Sequence, residues 1–431
     1  MVETNYLPPL KVVHINNSDV QGGAAVAANR LNVALRNFGV DSSMLVQEAL
    51  SGADNIVQAG DGKLYKSKAF SRFVIERLTF LPYERNSVLR FAFSPANTGM
   101  DITEHPLVKE ADIVHLHWIN QGYLSLKSLQ KLFNLGKPVV WTLHDMWPFT
   151  GGCHYSGTCL EFLERCSFCP YLRKPSKNDL STRQFLVKKK LYRNANLHMV
   201  ACSKWLRALS SESSLFRNKE VSAIPNPIDV DVFKPLDRAE CRKSLGLPQD
   251  KKLLLFGAAN VNDMRKGARY LFEALNILID SFPVFKEKAE VMVFGKMSQD
   301  TKAGIQLGIH NLKYVSSIEE LVKIYNAADI FVLPSLQDNL PNTVMESMAC
   351  GTPVVAFSTG GVPEMVKHLH TGFLAESKNA LNLATGIYET IFLSDMEQMR
   401  KNAREKVLAE YTGDIVARQY VEVYEKLLRN D

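Results

Sequence analysis

The stretch DIFVLPSLQDNLPNTVMESMACGTPVVAFSTGGVPE, Asp329–Glu364, decides how this chain is read. Ile330 to Leu333 is a short apolar run closed by Pro334, as a parallel strand covered on both faces requires. The chain then turns through Asp338, Asn339 and Asn342 and enters a helix near Thr343, where unpaired backbone N–H groups can receive an anion. The spacing puts Glu346 in that helix's first turn, where the helix dipole favours a carboxylate that can accept hydrogen bonds from two vicinal hydroxyls. The plainer alternative is a capping box with Glu346 at the third helical position. A second buried strand follows, ending near the Gly360-Gly361 pair.

Working outward, 431 residues exceed what one core usually supports, so two domains are expected. With 46% apolar and 22% charged residues the chain has the composition of a globular protein. No apolar run reaches membrane-spanning length, and Met1 to Leu10 lacks the apolar core of a signal peptide, so a cytoplasmic location is expected. A net charge of +6 is too small to imply nucleic acid. The charge is uneven, however. Between Lys63 and Arg90, the cations Lys63, Lys66, Lys68, Arg72 and Arg77 interleave with Phe70, Phe73, Val74, Leu78 and Phe80. Such a helix suits an anionic membrane surface or an anionic acceptor, or is a solvated helix packed on a core. Lys188, Lys189 and Lys190 form a second, shorter basic cluster.

The order of elements is that of two doubly wound α/β halves. Lys11 to Asn16 reads as a strand, Ala24 to Asn37 as a helix, and Ser43–Val46, Ile113–Leu116, Val139–Leu143 and His198–Cys202 as further strands. Ile224 to Pro235, I-P-N-P-I-D-V-D-V-F-K-P, concentrates prolines and polar residues as a hinge would. A second series follows: strand Leu253–Phe256, helix Ala268–Asp280, strand Val291–Phe294, helix Ile318–Asn326. The domains are therefore placed at 1–225 and 226–412. A last helix, with Val416, Tyr420, Val423, Tyr424 and Leu427 at helical spacing, packs on something.

In such folds ligands bind at the carboxyl ends of strands. Gly22-Gly23 after the first strand lets backbone approach a phosphate, and Gly257, Gly295 and Gly360-Gly361 are read as keeping the crest of the second half open. Arg265-Lys266-Gly267 places two cations at a helix start, which is unfavourable unless an anion binds there, or they are two solvated loop cations. His115 and His117 share one face of their strand, with His117 at the cleft end, and His144-Asp145 ends the neighbouring strand.

Cys153, Cys159, Cys166 and Cys169 crowd into C-H-Y-S-G-T-C-L-E-F-L-E-R-C-S-F-C-P, with His154 as a fifth candidate ligand. In a reducing compartment the cluster reads as structural zinc more readily than as disulfides. A nucleic-acid-binding zinc knuckle is the rival, opposed by Glu161 and Glu164 in the same segment.

Taken together, G-G-A-A after strand one, D-I-V-H-L-H-W, T-L-H-D, I-P-N-P-I-D-V-D-V-F, R-K-G and P-S-L-Q-D-N-L-P-N-T-V-M-E-S-M-A-C-G-T-P-V-V resemble the retaining glycosyltransferases of family 4. The resemblance covers nearly the whole chain. It implies the GT-B fold, two Rossmann-like domains with a cleft between them and a C-terminal helix, 413–431, crossing back to the first. It implies that Glu346 binds the nucleotide ribose and that Asp338 approaches the transferred sugar. Asn339, Leu340, Pro341, Asn342 and Thr343 would face sugar and phosphate. Lys266, with Arg265, would neutralise the diphosphate, Gly23 would touch it from the first domain, and His117 would sit by the sugar. His144, Asp145, Asn226, Gly22 and Gly257 complete the substrate-binding candidates. The H-D-M-W-P-F-T-G-G-C-H-Y segment resembles the branch associated with bacterial polysaccharide assembly, such as colanic-acid-type transferases.

The chain departs from the family pattern twice. Ala258 and Ala259 follow Gly257 where an arginine is usual, which shifts diphosphate binding onto Lys266 and Arg265, and Asp338 replaces the more frequent glutamate. Asp229-Val230-Asp231 mimics a metal-binding D-x-D, but it lies in the interdomain motif and the resemblance implies no metal in catalysis. The expected activity is hexose transfer from a nucleotide sugar, UDP-glucose or UDP-galactose before a GDP-sugar, to a polysaccharide or lipid-linked acceptor, with domain closure excluding water. A sugar-nucleotide epimerase and a noncatalytic binding scaffold are the alternatives. The expected location is cytoplasmic, peripheral at the inner face of the plasma membrane.

Overall fold

Apolar runs of four or five residues, bounded by turn formers, are long enough to cross a sheet and too short to be helices. The computed structural model describes residues 9–261, 263–296, 306–313, 315 and 317–429. The reading of the N-terminus as lacking a signal peptide falls largely on 1–8, outside the described residues. The chain divides into two compact units, Met1–Pro227 with Gly413–Asp431, and Ile228–Thr412.

The first unit is built on β1 (Lys11–Ser18), β2 (Asp41–Glu48), β3 (Ile56–Gln58), β4 (Ile113–Leu116), β5 (Val139–Leu143), β6 (Leu197–Ala201) and β7 (Val221–Ala223), in the order β3-β2-β1-β4-β5-β6-β7. The second is built on β8 (Lys252–Asn260), β9 (Ala289–Lys296), β10 (Gly308–Asn311), β11 (Ile330–Leu333), β12 (Val354–Phe357) and β13 (Gly372–Ala375), in the order β10-β9-β8-β11-β12-β13. All the strand pairings described are parallel. Five helices matter below: α1 (Gly23–Asn37), α2 (Gly62–Phe80), α3 (Ala268–Ser281), α4 (Asn342–Ala349) and α5 (Gly413–Arg429). This is the expected pair of Rossmann-like α/β domains. The edge strands β3, β7, β10 and β13 lie outside the sequence expectation. At three or four residues they carry too little apolar signal to stand out.

Side chains of the first sheet alternate between two cores, as period two requires. Val13, Ile15, Val139 and Trp141 face one core, while Val12, Ile113, Val140 and Val200 face the other. That second core is closed by α5, whose Val416, Ala417, Tyr420 and Tyr424 are buried beside Leu31 and Leu35 of α1. The last helix thus finds its partner in the first unit.

In the second unit the first residue of the opening stretch, Asp329, is a structural anchor. It is buried and accepts from Arg242 at 2.8 Å and from the Leu253 backbone N–H at 2.7 Å, tying the starts of β8 and β11 together. The charge is matched and its oxygens are bonded, which makes a buried carboxylate tolerable.

The segment 63–90 is less regular than its cations imply. Lys63, Lys66 and Lys68 are exposed on α2, together with Leu64, Phe70 and Leu78. Arg77, expected as a surface cation, is instead buried, paired with Glu76 and bonded to the carbonyls of Arg90 and Phe93, and Phe80 is core. The second basic cluster also divides, since Lys188 is fully buried while Lys189 and Lys190 are exposed.

Candidate functional site

In an open parallel sheet, a crevice forms where neighbouring strands send their following helices to opposite faces. In the second unit that point lies between β8 and β11. The loops leaving these strands carry Arg265-Lys266 and Asp338 respectively, so two distant sequence segments meet at one crest.

After β8, Asp263 caps a short turn over Met264–Lys266 by accepting from the Arg265 N–H at 2.9 Å. Its other oxygen takes the Arg265 guanidinium at 2.7 Å. Lys266 reaches the other way, donating to Asp338 Oδ2 at 2.6 Å. Both partners are mostly shielded from solvent, with side-chain exposures of 21% and 13%, so this contact is screened less than a surface pair. The two loops are also joined through backbone, Leu336 N–H to Arg265 C=O at 2.7 Å.

Glycines hold this crest together rather than opening it, which corrects the expectation from sequence. Gly267 has φ +70°, and a Cβ there would lie 1.9 Å from the Pro334 carbonyl oxygen. Gly360 has φ +57°, and its Cβ would lie 1.7 Å from the Asp338 carbonyl oxygen. Above Gly257 the Phe294 ring already occupies the space, at 2.3 Å from a Cβ, and at Gly295 the Ala258 carbonyl does the same.

Glu346 also sits differently from its expected place. The helix α4 begins at Asn342 with Pro341 as N-cap and no side-chain cap, so Glu346 is in the second turn and cannot form a capping box. It is 5% exposed and accepts from Tyr325 Oη at 2.8 Å. Asn339 and Leu340 are buried, whereas Asn342 and Thr343 are half-buried. Tyr325 and Asp263, which orient Glu346 and Arg265, were not legible as site residues. Their role depends on contacts across 21 residues in one case and on a local cap in the other.

The first unit has its own reversal point, between β1 and β4. Gly22, φ +91°, precedes α1 there, and a Cβ on it would meet nothing within 4 Å. His117 is not an open cleft residue. It is 3% exposed in a chain of imidazoles, His14 Nδ1 to His117 Nε2 at 2.8 Å and His117 Nδ1 to His144 Nε2 at 3.0 Å. Cys202 Sγ lies 3.7 Å from His144 Nδ1. His115 stacks on His117, but its nitrogens are taken by Tyr424 Oη and Thr142 Oγ1, both at 2.7 Å. His14 was missed because only the β1–β4 register brings it opposite His115. The nitrogens of His14, His115 and His117 lie within 4.8 Å of one another. His14 and His117 bond to each other, while the His115 nitrogens are taken by the two hydroxyls.

Asp145 is turned inward. It accepts from His154 Nδ1 at 2.7 Å, Trp118 Nε1 at 3.0 Å and the Trp147 N–H at 2.8 Å. Burial works against its charge, yet His154 and these N–H donors hold its carboxyl below the usual range. His154 is thereby spoken for, its Nε2 facing Ser94 Oγ at 2.9 Å, which removes it from the candidate metal ligands. Asn226 is buried. Asp229, first of the D-x-D string, accepts from the N–H groups of Asp231 and Val232, as in an Asx turn.

Burial pushes the His14 ring down to about 3 and the His144 ring to about 4, and holds His115 and His117 well below the ordinary value of 6.5, with like charges adding to the effect. The folded chain therefore binds fewer protons here than the unfolded chain. The stabilisation is complete above about pH 6.5 and drains as pH falls toward the folded values. Each ring contributes a slope of about 1.4 kcal/mol per pH unit. Urea melts at pH 7.5, 6 and 5 should show a steep loss of stability, and a flat profile would contradict a buried neutral chain.

With this geometry in place, comparison with known proteins becomes informative. Residues 21–232 match the model described as Glycosyltransferase Family 4, and residues 250–391 match Glycosyl transferases group 1. The putative colanic acid biosynthesis glycosyl transferase WcaC of Escherichia coli is 24% identical over 97% of this chain and 100% of its own length. The protein is a glycosyltransferase of the GT-B type. An N-acetylgalactosaminyltransferase of Campylobacter jejuni, named for an N,N'-diacetylbacillosaminyl-diphospho-undecaprenol acceptor, is 30% identical over 47% of the chain and 53% of its own. An uncharacterized glycosyltransferase of Methanocaldococcus jannaschii is also 30% identical, over 46% and 51%. The chain thus spans about half the length of these last two relatives. Sucrose-phosphate synthase from Thermosynechococcus elongatus superposes with TM-score 0.66 at 18% identity, covering 98% and 100% of the two chains. Anabaena Alr3699/HepE, solved with UDP-glucose, superposes at 0.62 and 17%, covering 97% and 100%. These likenesses establish the glycosyltransferase's fold. None of its described helices is long and apolar enough to cross a membrane.

Proposed function

We propose that this glycosyltransferase moves a hexose from a nucleotide sugar to a polysaccharide or lipid-linked oligosaccharide, retaining anomeric configuration and using no metal ion in the transfer. The observation that carries the reading is the Lys266–Asp338 pair at the reversal point of the second sheet. A diphosphate entering there competes with Asp338 for the ammonium. Lys266 then meets the charge that builds on the leaving oxygen, and Asp338 is released to accept from sugar hydroxyls. Glu346, held by Tyr325, is the ribose acceptor. In the transfer step the acceptor oxygen bonds to the anomeric carbon as the carbon–phosphate-oxygen bond breaks. Attack on the face that the nucleoside diphosphate leaves gives retention, and a phosphate oxygen takes the hydroxyl proton.

UDP-glucose or UDP-galactose is placed ahead of GDP-mannose or GDP-fucose, supported by the UDP-glucose complex of the Anabaena protein. The printed names of the E. coli and C. jejuni relatives support an acceptor in surface-polysaccharide or undecaprenyl-linked glycan assembly. A panel of UDP- and GDP-sugars, followed by calorimetry for binding and mass spectrometry for transfer, is expected to give saturable binding of a UDP-hexose and a glycosylated acceptor. Isomerised nucleotide sugar without acceptor would mean an epimerase, and tight binding without turnover on any acceptor would mean a scaffold.

The same reading seats α2 on an anionic bilayer, through exposed Lys63, Lys66 and Lys68 beside Leu64, Phe70 and Leu78. The protein is expected to float with phosphatidylglycerol vesicles at low salt and to lose that binding as Phe70→Asp. Recovery of the wild type in the dense fraction at low salt would remove the membrane from the proposal.

A further inference from the structure

Four thiols unused by the transfer chemistry surround one small space in the first unit. Cys153, Cys159, Cys166 and Cys169 all line a pocket with room for about one water-sized sphere. Three of the thiols are buried and Cys159 is half-buried, and all four are free. The surroundings have the form of a metal–thiolate site. The Gly151 N–H points at Cys166 Sγ over 3.1 Å, and the Tyr171 N–H bonds to Cys169. Tyr171 lies two residues beyond Cys169, just past the C-x₂-C turn Cys166–Cys169, where a backbone N–H can screen a thiolate. The C-x₂-C turn itself holds Phe168 at φ +44°, a left-handed conformation costly for a bulky side chain.

A second observation is independent of the cysteines. Lys188 is fully buried, with its ammonium 3.5 Å from the centre of the Trp147 ring and bonded to the carbonyls of Trp147 and Thr150. Those partners are neutral, so the lysine lacks a carboxylate at ion-pair distance among the described residues. A buried ammonium is costly without a counter-charge. Burial pulls the Lys188 ammonium down to about 7, and Cys166, Cys153 and Asp145 are the groups that act against that fall. Neutral thiols would not provide that counter-charge, whereas thiolates on a metal would.

The geometry points to a structural zinc site in which Cys153, Cys159, Cys166 and Cys169 hold one Zn²⁺ and Lys188 offsets part of its charge. Binding releases four thiol protons to solvent and leaves a centre of net charge 2−, with no change of oxidation state. No three of the four sulfurs yet lie within 4.8 Å of one another. Zn–S bonds of about 2.3 Å would draw them to about 3.8 Å apart, a movement that rotation of cysteines on loops can supply.

Protein made in a reducing cytosol and purified without chelator is expected to carry about one zinc per chain by plasma mass spectrometry. Cobalt exchanged into the wild type should show the intense visible bands and sulfur-to-metal charge transfer of a tetrahedral thiolate site. The Cys166→Ser, Cys169→Ser double variant should lose the metal and Cys350→Ser should keep it. Lys188→Met should weaken zinc at least about tenfold in a chelator competition. Because the double variant can lose its fold along with the metal, the wild type decides. Failure to retain zinc after reconstitution, or four thiols that react with a disulfide reagent equally fast with and without zinc, would overturn the site.

Discussion

Replacing Lys266 with alanine is expected to lower kcat/KM for sugar transfer by about 10²–10³-fold, the range seen when one preorganised donor to developing charge is removed. In this chain the positions after Gly257 that could hold a further cation are Ala258 and Ala259, so no side chain there shares the task. Arg265 is the nearest cation in sequence, but it is turned to Asp263 at 2.7 Å. The change should also cost some stability, because Asp338, whose side chain is 13% exposed, is left without its cation. The melting temperature should therefore fall by a few degrees while turnover collapses, and assays well below that melt separate the two effects. Lys266→Arg should retain more activity than the alanine variant. Full activity in Lys266→Ala, measured with the donor that calorimetry selects, would remove the diphosphate from this crest.

Truncation after Thr412 should abolish soluble expression. It removes α5, and with it three large side chains, Val416, Tyr420 and Tyr424, that are 0–1% exposed. At about 1.5–3 kcal/mol for each buried side chain, their loss is on the order of 5–9 kcal/mol, comparable with the whole stability of a domain. The uncovered face, with Leu31, Leu35 and Val140, would also favour aggregation. A graded version isolates the contact. Tyr424→Ala should cost about 3–5 kcal/mol in urea melts, by analogy with other large-to-small core changes. Tyr424→Phe should cost about 1–3 kcal/mol, because it leaves His115 Nδ1 without its hydroxyl partner. Soluble truncated protein with an unchanged melt would refute the packing role.

Much of this architecture was legible because parallel strands covered on both faces must be apolar throughout. Ile113–Leu116, Val139–Leu143 and Ile330–Leu333 have the same bounds in sequence and structure. The stripe on α5 was equally plain, although its partner came only from the family resemblance. The candidate site was legible in its members but not in its pairings. Lys266 and Asp338 are 72 residues apart, and only the adjacency of β8 and β11 joins them. The sequence reading sets Glu346 two positions too early in its helix, because proline serves as the cap. The glycines were read as clearance for a ligand, whereas most of their clearance is taken by carbonyl oxygens and a phenyl ring. Sequence shows where a Cβ is missing and not what fills its place.

Ile228 pairs with Thr412 in a parallel bridge, so the chain enters and leaves the second unit side by side. The second unit is in effect an insertion within the first, and this sets an order of assembly on the ribosome. Residues 228–412 can complete their sheet as soon as they emerge, while the first sheet waits with one face uncovered for α5. The half that is begun first is finished last.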